Sequence, residues 1–565
     1  MKLRRLLIEN FRGLRHLELF LDDTAVLIGE NNSGKTAVLD ALRLCLRELG
    51  PRRRVVFDPY DFHLKDGSTE PSTADPIRIE LTFSEDVPGD WGNQLTGRLV
   101  RLGILQVDPN DGRGRVTLCV KCVFDPAMRD FSQDWKFLNI NGSELPNIPD
   151  TALGTLQREV SYFYLSALRD AAKHFDPKGQ FWRPFLKDSQ LSPEKKAEIE
   201  TKLREVNDLV VQSHSSFDQA KERLKRLQDI LPMASGDVVS IEAVPGRLFD
   251  MLAKAQINLG TSTGARVPVG RHGEGTQSLA VLMLFSAFLE AWPSGAPIVA
   301  LEEPEAHLHP SAVRALWSVV NGIRGQKLLS THSGDLLSEV DIHKVRRLVR
   351  TASGIVSRRV DVGLLDAEET RKFNYHVRRA RGELLFARSW LLVEGETEAW
   401  VYTAAARALA IDLHREGVRI VEYSQSDVGL LTKVANALGI PWYCVIDDDS
   451  GRSKYEPSVV ANLGGAAPQD RYVLPYRNAE IHLLENGFDD VYRTLMPSQN
   501  LARVTKAPGD PDYWAEYANN FPARAKTRAA AAVANEIETR GSSSVPVQLK
   551  AAIEKAIALA AGGAP

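Results

Sequence analysis

The first segment whose spacing could do chemistry is Gly29-Glu-Asn-Asn-Ser-Gly-Lys-Thr36, which satisfies the pattern GxxxxGK[ST]. It follows the apolar run Ala25–Ile28 and precedes a helical pattern, as a phosphate-binding loop does. In such a loop backbone N–H groups turn toward phosphate oxygens, the lysine reaches the terminal phosphates and the threonine can bind Mg²⁺. The pattern predicts a nucleotide site formed by Gly29, Asn31, Asn32, Ser33, Gly34, Lys35 and Thr36.

Two acids and a histidine follow later apolar strand patterns. Ile298–Leu301 runs directly into Glu302 and Glu303, and a further strand pattern ends shortly before His332. The first carboxylate would hold Mg²⁺ through water, and the second would polarise the water that attacks the γ-phosphate. A histidine at a strand end beside a phosphate loop can contact the same phosphate. These residues predict nucleotide hydrolysis.

A second set of acids lies in the last third of the chain. Glu394 ends one strand pattern, Glu398 lies in the first turn of the following helix, and Asp447, Asp448 and Asp449 end another strand pattern. Alternation along a strand predicts that Asp447 and Asp449 share one side while Asp448 points away. Carboxylates gathered at neighbouring strand ends repel one another unless a cation lies among them, and such oxygens select Mg²⁺, Mn²⁺ or Ca²⁺. Two such ions are the usual apparatus for phosphodiester cleavage.

A glycine-rich turn, Gly270–Ser278, precedes the apolar helical pattern Leu279–Leu289. Backbone amides and the Ser278 hydroxyl at a helix N-terminus would form an anion site.

The elements that must position these residues form an α/β pattern. A β-rich start is followed by helical periodicity over Ser192–Leu231, and strand–helix alternation then begins at Ile298 and again at Trp390. Alternation of this kind predicts parallel sheets flanked by helices. The helical segment either packs on its own domain or forms a dimerising hairpin. We place an ATPase N-terminal part at 1–175, the helical insertion at 176–235, an ATPase C-terminal part at 236–386 and a further domain at 387–565.

The composition limits the class of protein. The chain has 565 residues, 70 Lys+Arg, 73 Asp+Glu and a formal net charge of −3, with 44% hydrophobic and 25% charged residues. This balance excludes disordered and fibrous classes, and the length predicts several domains. Four cysteines argue against a secreted disulfide scaffold. We expect a cytoplasmic protein, since no signal peptide or membrane-spanning stretch is evident.

In their order along the chain, the phosphate loop, glycine-rich turn, acidic strand and His332 resemble the ATP-binding-cassette (ABC) ATPases of the DNA-repair branch, with RecF- and SMC-like heads. The opening LLIENFRGLRHLEL resembles the same branch. The resemblance implies that Ser278 of one protomer closes on ATP held by another, and hence a homodimer or higher homo-oligomer through the ATPase part. The sequence departs from the family in having Glu302 where Asp is usual, and it lacks the long coiled coil of an SMC arm.

The second set of acids resembles the Toprim domain of topoisomerases, primases and certain nucleases. An ABC ATPase followed by a Toprim domain is similar to the OLD (overcoming lysogenisation defect) endonucleases, and the segments Phe163–Ala171, Leu438–Trp442 and Glu480–Tyr492 resemble their class 2 branch. The resemblance implies two Mg²⁺ ions (Mn²⁺ or Ca²⁺ as alternatives) on five ligands: Glu394, Glu398, Asp447, Asp449 and Glu480.

The resemblance also implies that Lys526 stabilises charge at the scissile phosphate. Lys550 lies in a similar helical context and is the alternative. Asp448 stands where the family usually has glycine, so the loop that binds metal is expected to differ here.

The function implied is an ATP-binding and ATP-hydrolysing, divalent-metal-dependent DNA endonuclease in bacterial anti-phage defence or DNA repair. The resemblance also implies a helicase as a further partner. The alternative is a non-catalytic RecF- or SMC-like clamp whose Toprim domain only grips DNA. Near-zero net charge does not exclude a local basic surface. Candidate contacts to backbone phosphates, independent of base sequence, are Arg52–Arg54, Arg371, Lys372, Arg378, Arg379, Arg381 and Arg388.

Overall fold

The structure is a computed structural model of the 565-residue chain. It describes residues 1–50, 55–64, 71, 74–125, 127, 130–166, 239–242, 256–260, 264, 266–290, 297–380, 382–424, 426–449, 451–473 and 477–562, with the backbone alone at 239–242, 256 and 257. The predicted helical insertion, Arg52–Arg54 and Arg381 lie outside these ranges.

The chain divides into two compact units. Unit 1 is Met1–Val340, Lys344–Leu348 and Gly354–Ser357; unit 2 is Asp341–His343, Val349–Ser353 and Arg358–Pro565.

The strands of the sequence up to residue 358 are numbered in chain order. They are β1 (Lys2–Phe11), β2 (Leu14–Phe20), β3 (Thr24–Ile28), β4 (Ile77–Ser84), β5 (Gln106–Val107), β6 (Gly114–Asp125), β7 (Asp130–Leu138), β8 (Tyr162–Leu165), β9 (Val239–Glu242), β10 (Gln256–Gly260), β11 (Arg266–Pro268), β12 (Ile298–Glu302), β13 (Gln326–Ser330), β14 (Val345–Thr351) and β15 (Gly354–Arg358).

Unit 1 contains an antiparallel sheet of order β2-β1-β4-β6-β5, with β7 paired to β6. A small antiparallel sheet has the order β11-β10-β9. The predicted strand around Ile77–Phe83 is confirmed, and its alternate side chains are fully buried in the core that this sheet shares with the first helix.

A second sheet of unit 1 has the order β15-β14-β3-β13-β12-β8, in which β14, β3, β13, β12 and β8 run parallel. The carboxyl ends of parallel strands meet at one edge, where ligands bind in α/β folds. The phosphate loop follows β3, Glu302 ends β12, and His332 follows β13. Strands far apart in sequence therefore present the predicted nucleotide residues at a common edge.

The helices of unit 1 include one that differs from the prediction. They are α1 (Lys35–Arg43), α2 (Asn93–Arg101), α3 (Thr151–Val160), α4 (Glu274–Glu290), α5 (Pro310–Gly322) and α6 (Gly334–Leu337). Helix α4 begins at Glu274, earlier than the expected Leu279. Its residues from Ser278 to Leu289 are buried, and this burial stabilises a helix that also includes Gly275. The prediction that Ser278 lies at a helix N-terminus is therefore wrong.

Unit 2 contains a parallel sheet of order β17-β16-β18-β19. Its strands are β16 (Ser389–Val393), β17 (Val418–Glu422), β18 (Trp442–Val445) and β19 (Tyr472–Val473). Its helices are α7 (Ala367–Arg379), α8 (Glu396–Ala408), α9 (Val428–Leu438), α10 (Arg452–Ala461), α11 (Ala479–Leu483), α12 (Asp489–Leu495), α13 (Ser498–Leu501), α14 (Tyr513–Asn520), α15 (Lys526–Arg540) and α16 (Val547–Ala561).

The two Ala-rich helices α15 and α16 pack against α8 and the sheet of unit 2. Small buried residues such as Ala529 and Ala556 let the backbones approach closely, and Ser389 Oγ donates to the carbonyl of Ala556 at 2.7 Å. The predicted α/β class, with parallel sheets connected through helices, is confirmed. Among the described residues, no helix is both long and apolar enough to cross a bilayer.

Candidate nucleotide and carboxylate sites

The phosphate loop connects β3 to α1 through a backbone that needs glycine. Gly29 has φ 150° and Gly34 has φ 90°. A Cβ at Gly29 would lie 2.6 Å from the carbonyl oxygen of Leu348, which no real side chain tolerates. Asn32 also has a positive φ of 60°. The loop is thus a tight turn that directs backbone N–H groups toward the start of α1.

Lys35 lies folded back over this loop. Its Nζ donates to the carbonyls of Gly29 at 2.8 Å and Glu30 at 2.9 Å. Burial lowers the pKa of Lys35 to about 8, while the nearby carboxylates of Glu303 and Glu30 oppose that shift. A buried cation on such a loop favours an anionic ligand.

Glu302 is held by two hydroxyl groups. Its Oε1 accepts from Thr36 Oγ1 at 2.6 Å, and its Oε2 accepts from the Tyr164 hydroxyl at 2.6 Å. Burial and then the hydrogen bond to Glu302 raise the pKa of Tyr164. The structure thus brings together the two predicted Mg²⁺ residues and adds Tyr164, which the sequence reasoning missed. The signal that could have found it is the position of β8 beside β12.

Glu303 and His332 also meet at this edge. The N–H of Glu303 donates to the carbonyl of Ser330 at 3.0 Å, and its Oε1 lies 3.7 Å from His332 Nε2. Glu303 has φ 44°, a strained backbone of the kind that concentrates at functional sites. Burial and the charge of Lys35 lower the pKa of His332. A neutral imidazole beside a carboxylate can accept or donate a hydrogen bond to a phosphate or to its water.

Glu305 is a further carboxylate of the site that the sequence reasoning left without a role. Its Oε1 accepts from Thr331 Oγ1 at 2.6 Å and from the N–H of His332 at 3.0 Å. Its Oε2 is buried and has no hydrogen-bond partner among the described residues, and burial raises the pKa of Glu305. Glu305 therefore ties the loop of His332 to the segment after β12.

Ser278 lies inside α4 and is 1% exposed. Groups nearer the start of α4 contact the segment after β12 instead: Glu274 Oε2 lies 3.0 Å from His307 Nδ1. A Cβ at Gly275 would lie 2.9 Å from the carbonyl of His307. The contribution of Ser278 to a neighbouring protomer's nucleotide stays a prediction.

The second site lies in unit 2, at the carboxyl ends of β16 and β18. These strands are paired in parallel, so Glu394 after β16 and Asp447 after β18 lie at one edge. Glu398 lies in the first turn of α8 and is 7% exposed. The N–H of Gly395 donates to Glu398 Oε2 at 3.2 Å, which caps the start of the helix. Asp447 is 8% exposed.

The acids of this edge act on one another. Burial raises the pKa of Glu398 to about 7 and that of Asp447 to about 9. Neighbouring carboxylates add to both shifts, and Asp449 is the largest charge that raises the pKa of Glu394, after burial. The predicted ligands Glu394, Glu398, Asp449 and Glu480 therefore lie close enough to Asp447 for their charges to raise its pKa.

Strand β18 ends at Val445, so Asp447, Asp448 and Asp449 lie in the following turn. Asp448 is exposed and accepts from Arg452 Nη1 at 2.9 Å, whereas Asp449 Oδ1 accepts from the N–H of Gly451 at 2.6 Å. Asp448 and Asp449 are both exposed whereas Asp447 is buried, so the prediction that Asp447 and Asp449 share one side stays a prediction.

The two candidate lysines have different surroundings. Lys526 is the first residue of α15, and its Nζ lies 2.9 Å from Glu480 Oε1. Lys550 is exposed on α16, where its Nζ lies 3.9 Å from Glu554 Oε1. Of the two, the structure places Lys526 with the carboxylates. The buried hydroxyl of Tyr492 has no hydrogen-bond partner within the described ranges of the chain. The charges of Glu480 and Glu398 add to the effect of burial in raising the pKa of Tyr492.

The donor set fits a divalent cation. All five acids offer hard oxygen ligands, and a cation among them would offset the burial and charge repulsion that raise the pKa of Glu394, Glu398 and Asp447. Within the part of the chain that the structure describes, no three acidic, histidine or cysteine side chains converge as a ready coordination sphere.

Comparison with known families gives two successive matches along the chain. The family described as "Protein of unknown function (DUF2813)" matches residues 1–383, and "Overcoming lysogenization defect protein-like, TOPRIM domain" matches residues 385–449.

Three curated relatives are similar over most of their length. "Uncharacterized protein YbjD" of Escherichia coli (strain K12) is 27% identical over 100% of both chains. "OLD nuclease" of Thermus scotoductus is 26% identical over 79% of this chain and 82% of the relative. "Endonuclease GajA" of Bacillus cereus is 24% identical over 82% of this chain and 78% of the relative.

The predicted C-terminal Toprim domain is confirmed by the second family match together with the parallel sheet of unit 2. The chain belongs to the DUF2813 family, here continued by an OLD-like Toprim domain.

Proposed function

We propose that the chain is an ATP-binding and ATP-hydrolysing, divalent-metal-dependent DNA endonuclease that cuts or nicks DNA with a two-metal Toprim site. The observation that carries the proposal is that four acids, Glu394, Glu398, Asp449 and Glu480, act electrostatically on buried Asp447, with Lys526 paired to Glu480. The names of the relatives, "OLD nuclease" and "Endonuclease GajA", support the same reading.

In this proposal Glu394, Glu398, Asp447, Asp449 and Glu480 hold the metal ions. The ions supply Lewis-acid activation of water and of the scissile phosphodiester when bound. Glu398 is oriented by the N–H of Gly395, and the Lys526 ammonium would move from Glu480 toward the charge that develops on the phosphate.

The ATPase part is proposed to act through the residues at the edge of the parallel sheet of unit 1. Lys35 would exchange the loop carbonyls for phosphate oxygens, and Thr36 and Glu302 would hold Mg²⁺ directly or through water. Glu303 would orient the attacking water, with His332 beside it. Homodimerisation through this part, a role in anti-phage defence or DNA repair, and a helicase partner belong to the same proposal.

Cleavage of supercoiled plasmid in Mg²⁺ or Mn²⁺, with and without ATP, tests the nuclease. We expect the wild type to cut and Asp447→Asn to lose at least about 100-fold in rate, since an amide binds divalent ions far more weakly. Lys526→Met should lose at least about tenfold, whereas the matched variant Lys550→Met should cut like the wild type.

Three outcomes would count against the proposal: no cleavage by the wild type, unchanged cleavage by Asp447→Asn, or loss with Lys550→Met instead of Lys526→Met. DNA binding without cleavage under any of these metals would favour the non-catalytic clamp.

A further inference from the structure

The exposed face of α7 combines basic residues with an aromatic ring. Tyr375 is 68% exposed, although tyrosine rings are usually at least partly covered. After the first turn of α7, the other exposed residues of the helix are all basic: Arg371, Lys372, Arg378 and Arg379. We call these four residues and Tyr375 the α7 outer face.

Helical spacing places these side chains next to one another. Arg371 is four residues before Tyr375, and Arg378 and Arg379 are three and four residues after it, so all three are neighbours of the ring on the helix surface. Lys372 pairs with Glu368 of the first turn at 2.8 Å. The outer face is therefore a tyrosine ring bordered by guanidinium groups.

The opposite face holds the helix in place within unit 2. Phe373 and Val377 are buried, Glu369 Oε1 accepts from Lys433 Nζ at 2.7 Å, and His376 Nδ1 lies 2.6 Å from Ser426 Oγ. The start of the helix has a capping box formed by Asp366 and Glu369. A helix fixed in this way presents its outer face as a rigid surface.

This surface is connected to the carboxylate site by a short segment. The N–H of Ser424 donates to the carbonyl of Glu394 at 3.0 Å, and Ser426, two residues later, contacts His376 of α7. Because β17 runs parallel to β16, the segment after β17 lies at the same edge of the sheet as Glu394. Helix α7 thus packs, through the face opposite its outer face, on a segment that lies at the same sheet edge as Glu394.

We propose that the α7 outer face binds a single-stranded segment of the DNA substrate, with the Tyr375 ring stacked on an unpaired base and the arginines on the flanking phosphates. This inference rests on the proposed nuclease function and specifies its substrate: DNA with a single-stranded or unpaired region near the cleavage site.

The combination of charge and exposed ring selects this occupant. Cationic side chains alone serve any nucleic acid, because they contact backbone phosphates. An exposed ring gains little from a duplex, whose bases are already stacked on each other, but it can stack on a base of a single strand. Stacking is independent of base identity, so the surface predicts preference for DNA structure without preference for sequence.

Binding to full-length protein in EDTA tests the proposal without cleavage. Fluorescence anisotropy would compare a labelled single-stranded 20-mer with a duplex of the same length. We expect Tyr375→Ala to weaken single-strand binding about tenfold and duplex binding less than twofold, and Tyr375→Phe to bind both like the wild type. Arg371→Gln combined with Arg379→Gln should weaken both and reduce the salt dependence by about one to two counterions.

Tyr60→Ala is the matched control, because Tyr60 is 79% exposed in unit 1 between Asp58 and Asp61 and should not contribute. Equal losses for both DNAs with Tyr375→Ala, or no loss for either, would overturn the proposal. A changed oligomeric state of Tyr375→Ala in light scattering would instead assign the face to a contact between copies of the chain. If Tyr375 is needed for single-strand binding but the wild type never cuts DNA, the binding proposal stands and the nuclease proposal fails. If the wild type cuts DNA but Tyr375→Ala binds single strands like the wild type, the nuclease proposal stands and the binding proposal fails.

Discussion

The carboxylate of Glu302, proposed to hold the Mg²⁺ of ATP, accepts hydrogen bonds from two hydroxyl groups. A glutamate is one methylene longer than the aspartate usual at this position, so its carboxylate has more rotamers to lose. The hydroxyls of Thr36 and Tyr164, each 2.6 Å from one of its oxygens, restrict it to one orientation. Tyr164 is thus a positioning residue for the carboxylate expected at the Mg²⁺ of ATP.

Tyr164→Phe tests this assignment. We expect the Mg²⁺ concentration for half-maximal ATP hydrolysis to rise about tenfold, because the carboxylate loses a charge-assisted hydrogen bond. Binding of a fluorescent ATP analogue in EDTA should stay within about twofold, since the tyrosine does not contact the phosphate loop directly in this arrangement.

Tyr162→Phe is the matched control, as its hydroxyl donates to the backbone carbonyl of Leu39 at 3.0 Å in the core of the same unit. It should lower thermal stability without changing the Mg²⁺ dependence. The same Mg²⁺ dependence in Tyr164→Phe and the wild type would contradict the role assigned to Tyr164.

At the scale of elements, α7 is attached to the rest of unit 2 partly through a buried histidine. Burial, and then the charge of Arg379, lower the pKa of His376 to about 4. In the unfolded chain a histidine titrates near 6.5, so between about pH 6.5 and 4 the unfolded state binds a proton that the folded state does not. Stability from this residue is therefore present above pH 6.5 and lost as the pH falls toward 4.

His376→Asn should remove this loss, because asparagine can keep the contact with Ser426 Oγ but does not titrate. Between pH 7 and 4 the wild type should lose more unfolding free energy than the variant, by at most about 1.4 kcal/mol per pH unit. Thermal unfolding of both proteins across this range measures the difference. His16→Asn, at an exposed position, should follow the wild type, and parallel curves for His376→Asn and the wild type would be the opposing result.

At the scale of the whole molecule, each proposed chemistry is contained in one compact unit. The nucleotide residues, from Lys35 to His332, belong to unit 1, and the carboxylates and Lys526 belong to unit 2. The family matches meet between residues 383 and 385, so the first match also covers residues 358–383, which belong to unit 2.

Reciprocal variants test this separation. Lys35→Ala should reduce ATP hydrolysis at least about 100-fold while leaving ATP-free, metal-dependent DNA cleavage within about twofold of the wild type. Asp447→Asn should reduce DNA cleavage while leaving ATP hydrolysis like that of the wild type. Loss of ATP-free cleavage with Lys35→Ala, in protein whose thermal unfolding matches the wild type, would show that the nuclease depends on the phosphate loop even without nucleotide.

The sequence by itself determined the local features that depend on short-range spacing. The phosphate loop, the acids after β12, β16 and β18, and the helix that begins at Lys526 follow from runs of neighbouring residues, since periodicity and strand ends are local properties. The predicted start of α4 is wrong because burial along the helix outweighed the local preference of its single glycine, Gly275, for a turn.

The tertiary structure decided which strands are neighbours. The sequence places β3 in a β-rich start with β1 and β2, yet β3 pairs with β13 and β14, which come about 300 residues later. That pairing, and the position of β8 beside β12, brings Tyr164 to Glu302, just as the fold of unit 2 brings Lys526 rather than Lys550 to Glu480. Such contacts depend on burying sheet and helix faces against partners distant in sequence, a condition that no local pattern records.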